Sequence, residues 1–273
     1  MTALPAAAFF LFLEASVGGA IALFWVHLRN EVTRGFTVFT GGCFIILGAL
    51  AIWLRSVFPP TASLALSPTA TLWFSAERVL TIAFIVLLTL YLVGLVADRA
   101  ATARRWMGPF VPLLGLAALW SAALVDASQQ LVGLGTPLAV LLGALALGAA
   151  LTGLSLGHWY LVSPGLSVHP LIRLTFLCLG AIAAQLIALP ILIFVPGSPP
   201  DSVRALTSDY LVFLGVRVVF GLVVPLGATL MTWRTARIRS LDSATGLLYI
   251  VAALVLAGEI AARTLFFLTG IAT

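Results

Sequence analysis

The chain has 273 residues, of which 62% are hydrophobic and only 8% charged, against roughly 25% charged in soluble domains. That composition excludes a water-soluble enzyme. It also argues against a nucleic-acid partner: the net charge of +5 comes from fourteen basic residues and nine acids, and the basic ones, all arginine, form short clusters without an aromatic-interleaved basic face.

A helix crossing a hydrocarbon layer about 30 Å thick needs about 20 apolar residues. In chain order, polar joints divide the sequence into about eight such lengths: Ala6–Leu28, Phe36–Leu54, Leu72–Ala97, Pro109–Val125, Pro137–Val162, Pro170–Val195, Ser208–Thr232 and Ala244–Thr269. The strands of a membrane barrel alternate apolar and polar residues. Runs such as residues 81–90 do not alternate, so helices are expected to satisfy the backbone. The first span has no basic leader and no cleavage site after a short apolar core, which predicts a helix kept in the mature protein. The expected fold is therefore all-α and polytopic, a single transmembrane domain over residues 1–273. Cys43 and Cys178 fall inside predicted spans, without metal-ligand spacing, and are expected to be packing residues.

Arginine placement sets an expected orientation. The joint after the first span carries Arg29 and Arg34, that after the third Arg99, Arg104 and Arg105, that after the fifth leads to Arg173, and that after the seventh holds Arg234, Arg237 and Arg239. The other side has Arg55, Arg78 and Arg204 near helix ends. Arginine in short loops marks the cytoplasmic face, so both termini are expected on the outer, periplasmic side of a bacterial or archaeal cytoplasmic membrane.

Charged side chains inside spans cost at least about 2.5 to 3.5 kcal/mol each, and so call for a partner, a water cavity or a function. Glu14 lies roughly 12 Å into the first span at 1.5 Å per residue, and Arg217 at comparable depth in the seventh, so the two are candidates to pair. Glu259 and Arg263, four residues apart, share one face of the last span. Glu77 and Arg78 open the third span on the same outer side. One reading makes these structural ion pairs. The other makes them a polar pocket open to the outer leaflet that binds a quinone, with Arg217 or Arg263 donating to its carbonyls and Glu14, Glu77 or Glu259 exchanging its protons.

The stretch Leu256-Ala-Gly-Glu-Ile-Ala-Ala-Arg-Thr-Leu-Phe-Phe267, with its Gly-Glu-x-x-x-Arg-x-x-Phe pattern, resembles the membrane-anchor subunits of the dimethyl sulfoxide reductase family. Pro5 through Gly19 with Glu14, Ser75-Ala-Glu77 before the third span, and Gly215-Val-Arg217-Val-Val are similar to that family's first, third and seventh helices. The resemblance covers about a third of the chain. It implies a subunit of this or the related polysulphide-reductase type that binds menaquinol or ubiquinol without haem. Such a subunit exchanges electrons with an iron–sulfur subunit docked on the membrane, while a separate molybdopterin subunit performs the final chemistry. Where the family has His-Leu-Gly at the outer end of the second helix, this chain has Ile52-Trp-Leu-Arg55, so Arg55 either replaces that histidine or anchors the helix end. Gly157-His-Trp-Tyr with His169 and Arg173 behind it has no counterpart among the resembling motifs.

Two other functions stay open. A secondary transporter would use the same charges at mid-membrane and show broken helices, and Pro190 and Pro225 do interrupt the sixth and seventh spans. A one-haem cytochrome would need two histidines at matching depth on different helices. His27 and His158 are the one such pair, since His169 falls in a turn-rich joint. Three histidines without a metal-binding motif predict no metal centre.

Overall fold

A computed structural model describes residues 3–60, 68–97, 99–127, 135–163, 165–194 and 199–273. Among these residues every regular element is a helix. Seven spans are long and apolar enough to cross a membrane: α1 (Ala3–His27), α2 (Arg34–Val57), α3 (Pro68–Val96), α6 (Gly135–Val162), α7 (His169–Ile193), the composite span Leu211–Arg237, and α11 (Leu241–Thr269). An eighth is reached only across a bend of 44° between α4 (Ala100–Trp106) and the start of α5 (Phe110–Ala127). Gly108 and Pro109 form that bend, and Pro109 has no N–H to carry a helix through it. The protein is an all-α polytopic membrane protein.

Several boundaries differ from the expected ones. The third span starts at Pro68 rather than Leu72, and the second runs from Arg34 to Val57. In the second, Thr33 caps the N-terminus by accepting from the Phe36 N–H at 3.3 Å. Val195, expected to end the sixth span, lies outside the described residues. The expected span Ser208–Thr232 becomes Leu211–Arg237, because α8 (Pro200–Thr207) takes up the preceding segment and the arginine-bearing end stays helical. The composite span is built from α9 (Leu211–Gly215), a π-helical segment Val216–Val223 and α10 (Val224–Arg237). Pro225 lacks an N–H, so the Gly221 carbonyl has no donor four residues ahead, and the ladder widens where Arg217 sits.

One end of the bundle gathers the arginines. Arg173 pairs with Glu31, Arg104 donates to Asn30, and Arg34 donates to the Val96 carbonyl. Asn30 turns the chain between α1 and α2 at φ 60, a left-handed conformation that asparagine tolerates. Trp25, Trp106 and Trp233 lie under Arg29, Arg105 and Arg237 at 5.1, 5.5 and 4.8 Å. This is the aromatic and basic pattern of a membrane–water interface.

α1 is the central post. Its spanning window is 83% buried, against 22% for Leu211–Arg237, and it packs on α2, α5, α6 and α11. A Cβ on Gly18 would strike the Ala144 backbone, and one on Gly148 would strike Gly18. Only glycine permits α1 and α6 to cross this closely, the small-residue packing usual where lipid supplies no hydrophobic drive between helices. Cys178 is buried and points at the Ala146 carbonyl, 3.7 Å away, whereas Cys43 is exposed on the bundle surface.

Candidate functional site

Four of the five predicted polar residues come together, and the fifth does not. In the centre of the bundle Glu259 of α11 bridges two arginines. Its Oε1 accepts from Arg217 Nη1 at 3.1 Å and its Oε2 from Arg263 Nη2 at 3.2 Å. The second contact is the same-face pair expected of residues four apart. Arg263 Nη2 also lies 2.8 Å from Glu14 Oε1 and donates to the Ala139 carbonyl at 3.2 Å. The expected partner of Glu14 was Arg217, on grounds of depth. The contact goes instead to Arg263, because the azimuth of each helix, which depth does not fix, turns Arg217 toward α7. There Arg217 Nη2 donates to Gln185 Oε1 and, at 3.3 Å, to the Thr273 carbonyl.

These side chains are all 4% exposed or less, and two carboxylates against two guanidiniums leave the group neutral. Sequence reasoning missed two contributors. Gln185 is neutral, so nothing in an apolar span marked it as costly; its amide holds Arg217 at one end and donates to the Leu142 carbonyl at 3.1 Å at the other. Gly143 is the other: a Cβ there would stand 2.5 Å from Glu259 Oε2 and 2.8 Å from Arg263 Nη2. The bare α6 backbone is what makes room for the ion pairs.

The network is not fully satisfied. Among the described residues Glu14 Oε1 and Oε2, Arg217 Nε, and Arg263 Nε and Nη1 make no hydrogen bond. Such orphans are uncommon in buried sites and call for an explanation. Free space is scarce, however. The cavity beside Arg217, Gln185 and Thr273 has about 10 Å³, room for about one water. Among the described residues the contacts divide the five residues expected in one pocket between two places, with Glu77 apart from the other four.

Glu77 sits in a second site, toward the arginine-poor end. Arg55 of α2 grips it in a two-pronged pair, Nε to Oε1 at 2.9 Å and Nη2 to Oε2 at 2.7 Å, a geometry that fixes both planes. The Arg55 guanidinium lies 4.3 Å from the Phe9 ring centroid and 5.7 Å from that of Phe74, and Thr81 donates to the Glu77 carbonyl at 2.7 Å. Arg55, to which the sequence left either a histidine-replacing or a helix-end role, is thus tied to α3 through Glu77. Arg78 is exposed and reaches over Phe74. Between α1, α2 and α3 the pair lines a partly open cleft of about 30 Å³ with Phe9, Ile52, Arg78 and Thr81.

The two histidines considered for haem have different neighbours. His27 is buried, its Nδ1 2.9 Å from Thr37 Oγ1 and its ring 5.8 Å from that of Tyr91. His158 is exposed on α6, its Nδ1 3.2 Å from the Tyr249 hydroxyl of α11. The two rings share no neighbour among these contacts.

The chain matches no protein-family model and no curated protein. What it can do chemically therefore rests on the two sites themselves. The interior network holds charge and hydrogen-bonding capacity in a nearly closed space. The Arg55–Glu77 site presents a carboxylate and a guanidinium, already paired, to a cleft that opens on the bundle surface.

Proposed function

We propose that the protein is the quinone-reactive membrane subunit of a respiratory oxidoreductase, and that the redox lipid meets it at the Arg55–Glu77 cleft. The observation that carries this reading is the cleft itself: a buried acid–arginine pair beside Phe9 at an opening on the lipid-facing surface. Intramembrane ionisable residues at such a place mark a functional site by default. The motif resemblance in α1, α3, α11 and the Arg217 segment points the same way.

The fit is partial and specific. The interior network, with about 10 Å³ free, does not admit a quinone ring. The cleft, at about 30 Å³, takes one carbonyl or hydroxyl oxygen while the ring rests at its mouth against Ile52, Ile82 and Phe9. There Arg55 donates to the oxygen, and Glu77 accepts or returns its proton. A quinol supplies two electrons and two protons; the electrons pass to, or come from, an iron–sulfur partner subunit on the outer face, coupled to a catalytic subunit of molybdopterin type. The ion-paired Glu14 and Arg263 lie deeper, where they relay protons or hold the helices in register.

Affinity purification of the native protein tests the reading: an iron–sulfur partner and an extractable menaquinone or ubiquinone are expected with it. Glu77→Gln should lose the quinone held at the cleft and keep the partner. Recovery with neither ends the proposal.

One observation favours transport as a second reading. Arg217 sits in a π-helical interruption of its span, and discontinuous helices carry the substrate sites of many secondary transporters. Uphill uptake by vesicles containing this chain alone would support transport and contradict the anchor reading.

A further inference from the structure

An opening much larger than either arginine site carries polar groups of its own. A groove of about 360 Å³ runs between α2, α6 and α11 near the arginine-rich end, lined by Phe39, Ser155, His158, Trp159, Val162 and Tyr249. His158 lies four residues before the end of α6 and Tyr249 eight after the start of α11, depths of about 6 and 12 Å at 1.5 Å per residue. α6 and α11 close the floor of the groove because Gly157 admits the Thr245 side chain, which a Cβ would meet at 2.7 Å.

Its polar groups are donors seeking acceptors. The 3.2 Å contact between His158 Nδ1 and the Tyr249 hydroxyl leaves one donor free in either tautomer. If tyrosine donates, the imidazole carries its proton on Nε2; if Nδ1 donates, the tyrosine O–H is free. Ser155 adds a hydroxyl, while Trp159 contributes its ring alone, since its Nε1 is buried. Nine arginines stand at this end of the bundle, yet none lines the groove, so the occupant is neutral rather than a phosphate. Phe39, Trp159, Tyr249 and the His158 ring offer flat faces. A groove of nearly equal size, about 350 Å³ between α2 and α3, makes the contrast. Its one side-chain hydroxyl, Thr89, is already donated to the Ile85 carbonyl at 2.8 Å, and the rest is suited only to a lipid tail.

We infer that the His158–Tyr249 groove binds the ring of an isoprenoid quinone, a neutral planar molecule with carbonyl acceptors and an apolar tail, as a second site in the leaflet opposite the Arg55–Glu77 cleft. The inference rests on the reading that this chain handles quinones. The two sites share no residue and fail separately. Binding alone is assigned to the groove.

The test is a titration of the full chain in phosphatidylcholine nanodiscs with oxidised decylubiquinone, read by quenching of tryptophan fluorescence. Trp159→Phe should remove a distinct part of the quenching, which identifies the groove signal. Tyr249→Phe and His158→Leu, both at surface-exposed positions and checked for unchanged melting temperature, should each weaken that signal's apparent affinity at least about tenfold. Glu77→Gln should leave it unchanged while removing the rest of the binding. Quenching indifferent to Trp159→Phe, or to both His158→Leu and Tyr249→Phe, overturns the proposal. Replacement of phosphatidylcholine by phosphatidylglycerol should not suppress the groove signal; suppression would assign the groove to a phospholipid and equally overturn it. Loss of the Glu77-dependent part alone from the wild type would sink the cleft reading and leave the groove standing.

Discussion

Among the described residues two buried arginine–carboxylate sites are made from the same chemistry and put to different use. The interior network joins α1, α11 and the π-helical segment with almost no free volume. The Arg55–Glu77 pair is equally buried as side chains, at 5% and 2%, but forms the wall of an opening. Buried ion pairs are costly to break yet weak evidence of net stabilisation, because desolvation offsets attraction. The difference between the sites is therefore one of access: the first holds helices in place, and the second is reachable from the lipid.

The sharpest way to break that comparison is to remove one charge from each. Arg263→Leu strands Glu14 and half of Glu259, and should cost about 3–5 kcal/mol, measured by denaturant titration in mixed micelles. Arg55→Leu should cost clearly less, since Glu77 adjoins a cleft that admits water. Equal losses would erase the distinction. Next in size is Gly143→Ala, which pushes a methyl into Glu259 and Arg263 and should destabilise by about 1–3 kcal/mol. Gly42→Ala, with nothing within 4 Å of the added atom, should be neutral or better by up to about 1 kcal/mol, and serves as its control. Glu77→Gln keeps an acceptor for Arg55 and should lose at most about 1–3 kcal/mol, while the share of quinone held at the cleft is lost; undiminished quinone would place that headgroup elsewhere. Smallest is Arg173→Ala. Its partly exposed pair with Glu31 should contribute about 0–1 kcal/mol, and that contribution should vanish near 1 M salt, where the screening length falls to about 3 Å.

The spans were legible because an apolar run long enough to cross a bilayer has few other uses. Glu14, Arg217, Glu259 and Arg263 were legible because a charge in such a run is an anomaly. Partnership was harder. The pair within α11 followed from helical spacing, but Glu14 with Arg263 and Arg55 with Glu77 depend on the rotation of each helix about its axis, and an all-apolar surface leaves that angle unmarked. Gln185 and Gly143 gave no signal at all, one being neutral and the other contributing only by lacking a side chain. The widened turn at Arg217 likewise carries no motif beyond Pro225 downstream.

The contact between Glu14 and Arg263 has a consequence for biosynthesis. The two residues are separated by 263 − 14 = 249 positions, so α1 enters the bilayer carrying a carboxylate whose counter-ion is synthesised 249 residues later. Until α11 arrives, α1 bears an uncompensated polar group worth about 2.5 to 3.5 kcal/mol against insertion. Completion of α11 is thus what secures α1. A ribosome stalled before α11 would leave a bundle with its central post loose, and hence open to membrane quality-control proteases.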